Sequence, residues 1–279
     1  MSLSLTRLLF PTDFSDAAAE TFDRAAALAI LGGATLRVFH AAVPDDRVPA
    51  TPQHEQAMRE RGETIAARLP GGHGTLRLEF VVRPAAAVRE AILAEIDDYT
   101  PDVVVMATHG GGLLMGSVAE HIVRHSPVHV MTCRRGAQGK WPRTPGRILV
   151  PVDFSDNSRR ALELARTLAE ESPIALVHVV DAPPRDDIHH LLGTAPHDFD
   201  PEVRRRVEEH LQQWAGGPVA SVAAVRGDVR QRLLQECARP TTALVVIGTH
   251  GPERPGAWML GSTAERLVRA SPAPVLVVR

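Results

Sequence analysis

The sequence predicts an α/β protein built from two tandem doubly wound domains, each with a five-stranded parallel sheet flanked by helices. Three observations support this prediction: the chain repeats itself, short β-branched segments alternate with amphipathic segments in each copy, and the central strand segments are apolar without alternation. The 279 residues suit two domains of medium size, and an apolar fraction of 44% provides a packed core for each.

The repeat is clearest at the start of each copy. The segment Arg7-Leu-Leu-Phe-Pro-Thr-Asp-Phe-Ser-Asp16 returns, with most positions identical, as Arg147-Ile-Leu-Val-Pro-Val-Asp-Phe-Ser-Asp156, an offset of 140 residues. The offset is 141 at the fourth strand and 145 where Gly116–Arg124 matches Gly261–Arg269. A four-residue deletion in the first copy, just before Gly116, explains this change.

A linker separates the copies. The stretch between them is rich in residues that interrupt helices and strands, namely Gly136, Gly139, Pro142, Pro145 and Gly146. We therefore predict an N-terminal domain at 1–135, a linker at 136–146 and a C-terminal domain at 147–279. Below, the two domains are called the N-terminal half and the C-terminal half.

Each half should contain five strands in the order expected of βαβ units. In the C-terminal half, strands are predicted near 147–152, 174–180, 218–225, 243–248 and 274–278, and helices near 155–171, 201–215, 228–239 and 262–270. Ligands of such sheets bind beyond the carboxyl ends of the strands. Those ends hold Asp153, Val179 and Gly248 in the C-terminal half. The sequence thus predicts one binding edge in each half.

A glycine loop follows the fourth strand of the C-terminal half. Gly248 and Gly251 are separated by two residues, and Gly251 and Gly261 by nine, with Ser262 next. Glycines permit a positive φ or a close approach of the backbone to a ligand. Ser262-Thr-Ala-Glu265 has the pattern of a capping box, which places a helix start and its exposed amides at Ser262. The loop is therefore a candidate phosphate-binding site, and the alternative is an ordinary loop with an ordinary cap.

These motifs resemble the universal stress protein family in its tandem form, over nearly the whole chain. The family's ATP signature, Gly-x2-Gly-x9-Gly-Ser/Thr, is matched by Gly248, Gly251, Gly261 and Ser262. Its first-strand motif, Pro-x-Asp-x-Ser, is matched at Pro151 and again at Pro11. The resemblance implies an adenine nucleotide alpha hydrolase-like, Rossmann-like fold in each half.

The resemblance also implies an ATP site in the C-terminal half. In this interpretation Asp153 meets the adenosine end, the backbone near Val179 frames the adenine, and the loop amides with Ser262 hold the phosphates. A strand-end carboxylate can accept hydrogen bonds from ribose hydroxyls, although Asp153 could instead be only a turn or cap residue. The predicted site residues are Pro151, Val152, Asp153, Val179, Ile247, Gly248, His250, Gly251, Gly261, Ser262 and Thr263.

The N-terminal half departs from the family pattern. Ala107 replaces the first glycine, and only five residues separate Gly110 from Gly116. Four missing residues remove up to about 14 Å of extended chain, comparable to the length of a triphosphate. Ser117-Val-Ala-Glu120 retains the capping pattern and Asp13 is present. We expect no ATP in this half, and a smaller or weaker ligand remains open.

The sequence lacks the parts of an efficient ATPase. It has no Gly-x4-Gly-Lys-Ser/Thr loop, and its single lysine, Lys140, lies in the linker. Hydrolysis should be slow or absent. His109 and His250 occupy matching positions and suit a structural role better than general-base catalysis, since only one half keeps the loop. Arg254 could contact phosphate or be solvated. Mg²⁺ is expected on the nucleotide rather than in a protein cage.

Charge and cysteine content exclude several classes of function. The formal net charge is -2, so no strong field favours nucleic acid or a membrane. Cys133 and Cys237 match no metal or redox spacing, which favours buried thiols in a reducing compartment. No signal peptide and no transmembrane-length apolar run is recognised. We expect a cytoplasmic protein.

A polar insertion in the C-terminal half is the remaining candidate site. His189, His190 and His197 with nearby aspartates could bind zinc, but their spacing matches no recognised ligand set, and a loop is the simpler interpretation.

Three hypotheses for function follow. The first is a regulatory stress-response protein that binds ATP in its C-terminal half and signals to a protein partner. The second is an interaction scaffold independent of nucleotide, and the third is an enzyme acting on an adenylated or phosphorylated metabolite.

Each copy ends in an apolar strand, at Val128–Cys133 and Val275–Val278, which would otherwise leave an exposed edge. We therefore expect the halves to pack as an intramolecular pseudo-dimer, with a homodimer of chains possible in addition.

Overall fold

Both halves of the chain form the predicted α/β architecture. The computed structural model describes residues 5–44, 50–69, 74–108, 116–136, 146–169, 172–181, 200–249 and 260–279. The strands there are β1 (Arg7–Pro11), β2 (Thr35–Ala42), β3 (Arg77–Pro84), β4 (Val103–Ala107), β5 (His129–Cys133), β6 (Arg147–Pro151), β7 (Ile174–Asp181), β8 (Ser221–Gly227), β9 (Thr242–Gly248) and β10 (Val275–Val278). The helices are α1 (Asp16–Gly32), α2 (Pro52–Ala66), α3 (Val88–Tyr99), α4 (Ser117–His125), α5 (Asp156–Ala169), α6 (Pro201–Ala215), α7 (Val229–Cys237) and α8 (Ser262–Ala270).

The observed bounds follow the predicted ones closely, and the largest difference is at β8. Its ladder with β7 begins at Ser221 rather than near 218. Gly216 ends α6 in the left-handed region, with φ of 65°, and the chain then passes through Gly217 and Pro218. A glycine cap followed by proline delays the extended ladder because the chain must first reverse direction.

The strands form one ten-stranded sheet in the order β3-β2-β1-β4-β5-β10-β9-β6-β7-β8. All pairs within a half are parallel, whereas β5 and β10 pair antiparallel, with Leu276 opposite Met131. The last strand of each half therefore covers the edge of the other. In each half the strand order reverses beside the first strand, at β1 and β4 and at β6 and β9. Such a switch point opens a crevice at the carboxyl ends of the strands.

The sheet is covered on both faces, as its apolar strands require. Leu8 and Phe10 of β1 pack in a cluster with α1, α2, α5 and α6, whereas Leu9 packs in a second cluster with α3, α4, α7 and α8. Each cluster contains residues of both halves. The alternation of one strand between two helical layers confirms the doubly wound class.

Both cysteines are buried free thiols, as the sequence predicts. Burial raises the pKa of Cys133 to about 11 and that of Cys237 to about 12. Their thiolates are therefore scarce at neutral pH, and neither side chain is suited to nucleophilic chemistry.

In the part of the chain that the structure describes, no helix is both long and apolar enough to cross a membrane.

Candidate functional site

A cleft of about 500 Å³ lies beyond the carboxyl ends of β6, β7 and β9, beside the start of α8. Every predicted site residue that the structure describes lines it: Pro151, Val152, Asp153, Val179, Ile247, Gly248, Gly261, Ser262 and Thr263. His250 and Gly251 lie outside the described residues. The structure thus brings together residues that are up to 112 positions apart in the sequence.

Asp153 lies just after β6, in a turn formed by the Pro-x-Asp-x-Ser motif that occurs in both halves. One carboxylate oxygen, Oδ1, accepts a hydrogen bond from the Ser155 amide at 3.0 Å and another from the Ser155 hydroxyl. The Ser155 hydroxyl in turn accepts from the Ser158 amide at 3.2 Å and so caps α5. Asp153 is exposed, and no hydrogen bond to its second oxygen occurs among the described residues. The turn role and a ligand role are therefore compatible.

Phe154 gives this turn its shape. Its φ of 64° lies in the left-handed region, which costs a non-glycine residue on the order of 1 kcal/mol. The ring packs 4.7 Å from the His178 ring and 4.9 Å from the His210 ring, measured between centroids. Phe14 has a φ of 56° at the equivalent position. Aromatic packing holds the turn in both halves.

His178 is a cleft residue that the sequence analysis missed. Its Nδ1 lies 2.7 Å from the Val152 carbonyl oxygen, and its ring contacts Phe154, so it holds the residues on either side of Asp153. His40 makes the same two contacts in the N-terminal half, with its Nδ1 2.9 Å from the Thr12 carbonyl oxygen and its ring 4.8 Å from Phe14. The sequence signal that could have identified His178 is the presence of a histidine near the end of the second strand in each copy.

The N-terminus of α8 corrects the predicted capping box. The helix starts at Ser262 as expected, but its N-cap is Gly261, whose carbonyl accepts from the Glu265 amide at 2.9 Å. Glycine has no side chain with which to cap, and no acceptor for the amides of Ser262 and Thr263 is found among the described residues. Uncapped amides at a helix start, with the positive end of the helix dipole, favour an anion.

The capping prediction is wrong in the N-terminal half for the same reason. Gly116, not Ser117, is the N-cap of α4. The glutamates of the two predicted boxes are used elsewhere: Glu120 pairs with Arg269 at 2.7 Å, and Glu265 pairs with Arg124 at 2.9 Å. These pairs cross from one half to the other, so the glutamates join the halves instead of capping their own helices.

The ends of the glycine loop are joined by a backbone hydrogen bond. The Gly261 amide donates to the Thr249 carbonyl oxygen at 2.6 Å. This bond holds the start of α8 against the end of β9, so the helix amides lie at the same edge of the sheet as Asp153.

Gly248 is explained by packing rather than by a positive φ. A Cβ at this position would lie 2.7 Å from the Cβ and 2.9 Å from the carbonyl carbon of Asn157 at the start of α5. Glycine therefore lets β9 approach α5 closely. Ala107 occupies the matching position in the N-terminal half, where the fold accommodates a Cβ.

The N-terminal half contains a matching but smaller cleft of about 280 Å³. Asp13, His40, Ala107 and Gly116 are among the residues that line it. The Gly116 amide donates to the Thr108 carbonyl oxygen at 2.7 Å, as its counterpart does in the C-terminal half. The two clefts share their framework and differ in size.

Several sequence candidates lie outside the described residues: His109, Lys140, His189, His190, His197 and Arg254. Within the described ranges no group of three or more histidine, cysteine, aspartate or glutamate side chains is arranged to hold a metal ion.

Comparison with known proteins yields one family. A model of the universal stress protein family matches residues 5–134 and again residues 145–279. The universal stress protein in the QAH/OAS sulfhydrylase 3' region of Thermus aquaticus is 29% identical over 138 residues, 47% of this chain and 97% of the relative. A universal stress protein of Bacillus subtilis is 28% identical over 149 residues, 48% of this chain and 98% of the relative. A solved universal stress protein structure from Archaeoglobus fulgidus matches with a TM-score of 0.64 and 19% identity over 98% of each chain, a likeness of fold.

Proposed function

The chain belongs to the universal stress protein family, and from this premise we propose that its C-terminal half binds ATP. The observation that supports this most is the convergence of three elements on one cleft of about 500 Å³: the Asp153 turn, the end of β7 at Val179, and the uncapped start of α8. Clefts of roughly 300–1,000 Å³ are typical of small-molecule sites.

Each element suits a different part of the nucleotide. The free oxygen of Asp153 can accept hydrogen bonds from ribose hydroxyls. Val179, Leu233 and Ile247 offer an apolar wall to the base. The α8 amides and the Ser262 hydroxyl can bind phosphate oxygens. His250 and Gly251 are proposed to contribute through the loop.

Binding without efficient hydrolysis is the proposed outcome. Lysine is absent from every position of the sequence except 140, so no P-loop lysine is available to the γ-phosphate. Mg²⁺ would come with the nucleotide rather than bind in a protein cage. We infer a cytoplasmic regulatory protein whose ATP-bound form is recognised by a protein partner. Its N-terminal half ends near residue 135 and its C-terminal half begins near residue 147, and the two halves act as a pseudo-dimer joined by β5 and β10.

Equilibrium binding of labelled ATP to the full chain tests the proposal. We expect one saturable equivalent, at least 100-fold weaker binding in Gly261→Val, and a change of less than twofold in the matched control Gly116→Val. The backbone angles of both glycines, φ of -65° and -63°, are open to valine, so both variants should fold.

A thermal unfolding measurement separates this proposal from a nucleotide-independent scaffold. ATP at 100 times its dissociation constant should stabilise the wild type by about 2.7 kcal/mol. No saturable binding, together with an unchanged unfolding midpoint, would favour the scaffold.

A further inference from the structure

A further cavity of the N-terminal half lies between α1 and α2, in one of the two helical layers that cover the sheet. Its volume is about 560 Å³. This volume falls within the range of roughly 300–1,000 Å³ that is typical of small-molecule sites. None of the described residues that line it also lines the cleft at the strand ends of the same half. The cavity, called the helix cavity below, is therefore separate from that cleft.

The deepest residues of the helix cavity are apolar. Phe22 of α1 and Ile65 of α2 line it and are buried, and Met58 of α2 is half-buried. Phe14 also lines it, and its ring stacks on the His54 ring with 4.1 Å between the centroids. A ligand that covers these side chains removes apolar surface from water, so the helix cavity favours an apolar or aromatic ligand body.

Charged side chains complete the lining, and one of them is available to a ligand. Arg61 forms a two-pronged ion pair with Asp23, in which the Arg61 Nη2 donates to Oδ2 at 3.0 Å. Glu60 accepts a hydrogen bond from the Gln56 side-chain amide at 2.7 Å. Arg68 is exposed in the turn after α2, and its guanidinium has no hydrogen bond or ion pair in the part of the chain that the structure describes. An anionic group of a ligand can bind this cation.

The C-terminal half fills the equivalent space with its own side chains. Helices α2 and α6 both contain 15 residues and begin with proline, so Ile65 corresponds to Trp214. Helices α1 and α5 both begin with an aspartate that follows a serine, so Ala19 corresponds to Arg159. The Arg159 guanidinium lies 3.8 Å from the centroid of the Trp214 ring and donates to the Ala215 carbonyl oxygen at 3.4 Å. A stacked arginine and tryptophan therefore close the gap between α5 and α6.

The smaller side chains and the available cation occur together in the N-terminal half. Ala19 and Ile65 both line the helix cavity, where the C-terminal half has the stacked pair. At the position of Arg68 the C-terminal half has Gly217, which offers no charge. Protein interiors are close-packed, and the C-terminal half shows how this fold packs the same two helices. The open space is thus a property of these residues rather than of the fold.

We propose that the helix cavity binds a small amphipathic organic anion. Its aromatic or other apolar body lies on Phe22, Met58 and Ile65, and its anionic group binds Arg68. This site is separate from the proposed ATP site and does not depend on it.

Fluorescence titration of the full chain with anilinonaphthalene sulfonate, an aromatic sulfonate, tests the proposal. The titration is made in excess ATP, and we expect one saturable equivalent of the probe. The double substitution Ala19→Arg and Ile65→Trp, called the filled variant, gives the helix cavity the residues of the C-terminal half. It should abolish probe binding, because the new side chains occupy the space.

A second pair of variants tests the anionic contact without changing the packing. Arg68→Gln should weaken binding of the probe about fivefold, since a charge-assisted contact at an exposed site contributes modestly. The matched control is Arg59→Gln, on α2 but outside the lining of the helix cavity, and it should change the affinity less than twofold. The uncharged analogue phenylnaphthylamine should bind Arg68→Gln as it binds the wild type. Thermal unfolding of each variant provides the folding control.

The outcomes distinguish this inference from the proposed function. Absence of probe binding to the wild type, or probe binding that persists in a folded filled variant, overturns the inference. Equal effects of Arg68→Gln and Arg59→Gln also overturn it, and this comparison decides the matter if the filled variant does not fold. Failure of ATP to bind overturns the proposed function instead and leaves the probe measurements valid.

Discussion

The two glycine loops have the same anchors and different lengths. In each half a threonine carbonyl at the end of the fourth strand accepts a hydrogen bond from the glycine that caps the following helix, at 2.7 Å for Thr108 and Gly116 and 2.6 Å for Thr249 and Gly261. Seven residues lie between the first pair and eleven between the second. The four-residue difference therefore changes the length of the loop but not the hydrogen bond at its base.

The comparison also separates packing from ligand binding at the first glycine. Gly248 and Ala107 occupy matching positions, and the glycine is required where α5 approaches β9. The alanine in the N-terminal half therefore concerns the packing of α1 against β4, and it is not independent evidence that a nucleotide site was lost.

Shortening the longer loop should have the largest effect. Deleting Pro252, Glu253, Arg254 and Pro255 reduces the spacer between Gly251 and Gly261 from nine residues to five, the length found in the N-terminal half. We expect ATP affinity to fall at least 100-fold, about 2.7 kcal/mol, because the shortened loop is too short to extend along the triphosphate. Calorimetric titration with ATP measures the change, and an unfolding curve like that of the wild type is the control. Retained affinity would show that loop length does not select the ligand.

Gly248→Ala tests the packing difference between the halves. The new Cβ meets the backbone of Asn157, which cannot rotate away, so we expect about 1–3 kcal/mol of destabilisation from overpacking. Chemical denaturation of the full chain gives the value. The matched change Ala107→Gly should cost no more than about 1 kcal/mol, since it only adds backbone freedom in a strand. Equal effects on stability at both positions would contradict a difference in how closely α1 and α5 pack against their strands.

Substituting the two strand-end carboxylates, Asp153 and Asp13, should have different effects on the affinity for ATP. Asp153→Asn preserves an oxygen acceptor for the Ser155 amide but replaces the second carboxylate oxygen, the acceptor for ribose, with an NH2 donor, so ATP affinity should fall about tenfold, or 1.4 kcal/mol. Asp13→Asn should leave ATP affinity within twofold. A titration of both variants checks the contrast, and equal losses would imply that ATP occupies both clefts.

The smallest effect concerns the pH dependence of a histidine in the N-terminal half that has no titratable counterpart in the C-terminal half. Burial lowers the pKa of His129, whose Nδ1 accepts a hydrogen bond from the Arg279 amide at 3.0 Å. The folded state therefore resists protonation of His129. The contribution of this histidine to stability is complete above the unfolded pKa of 6.5 and is lost as the pH falls through the lowered folded pKa. The matching position in the C-terminal half is Pro274, which does not titrate. Denaturation between pH 5 and 7.5 should show a shallower acid loss in His129→Asn than in the wild type; parallel curves would exclude His129 as the cause.

Much of the fold was accessible from sequence because it follows from local patterns. The repeat gave the tandem architecture, and apolar runs ending in Asp153 and Gly248 located the edge where the cleft lies. The capping prediction failed because a glycine, not the serine, is the N-cap, and Glu265 instead pairs with Arg124, 141 residues away, a contact that a short motif does not reveal. His178 was missed for the same reason, since its partner is the carbonyl of Val152, just after the neighbouring strand β6.

The number of ATP molecules bound by one chain tests the central claim most directly. Native mass spectrometry of the full chain in excess ATP should show one equivalent, present in Gly116→Val and absent in Gly261→Val. Two equivalents in the wild type, or one that disappears in Gly116→Val and persists in Gly261→Val, would contradict the assignment of ATP to the C-terminal cleft.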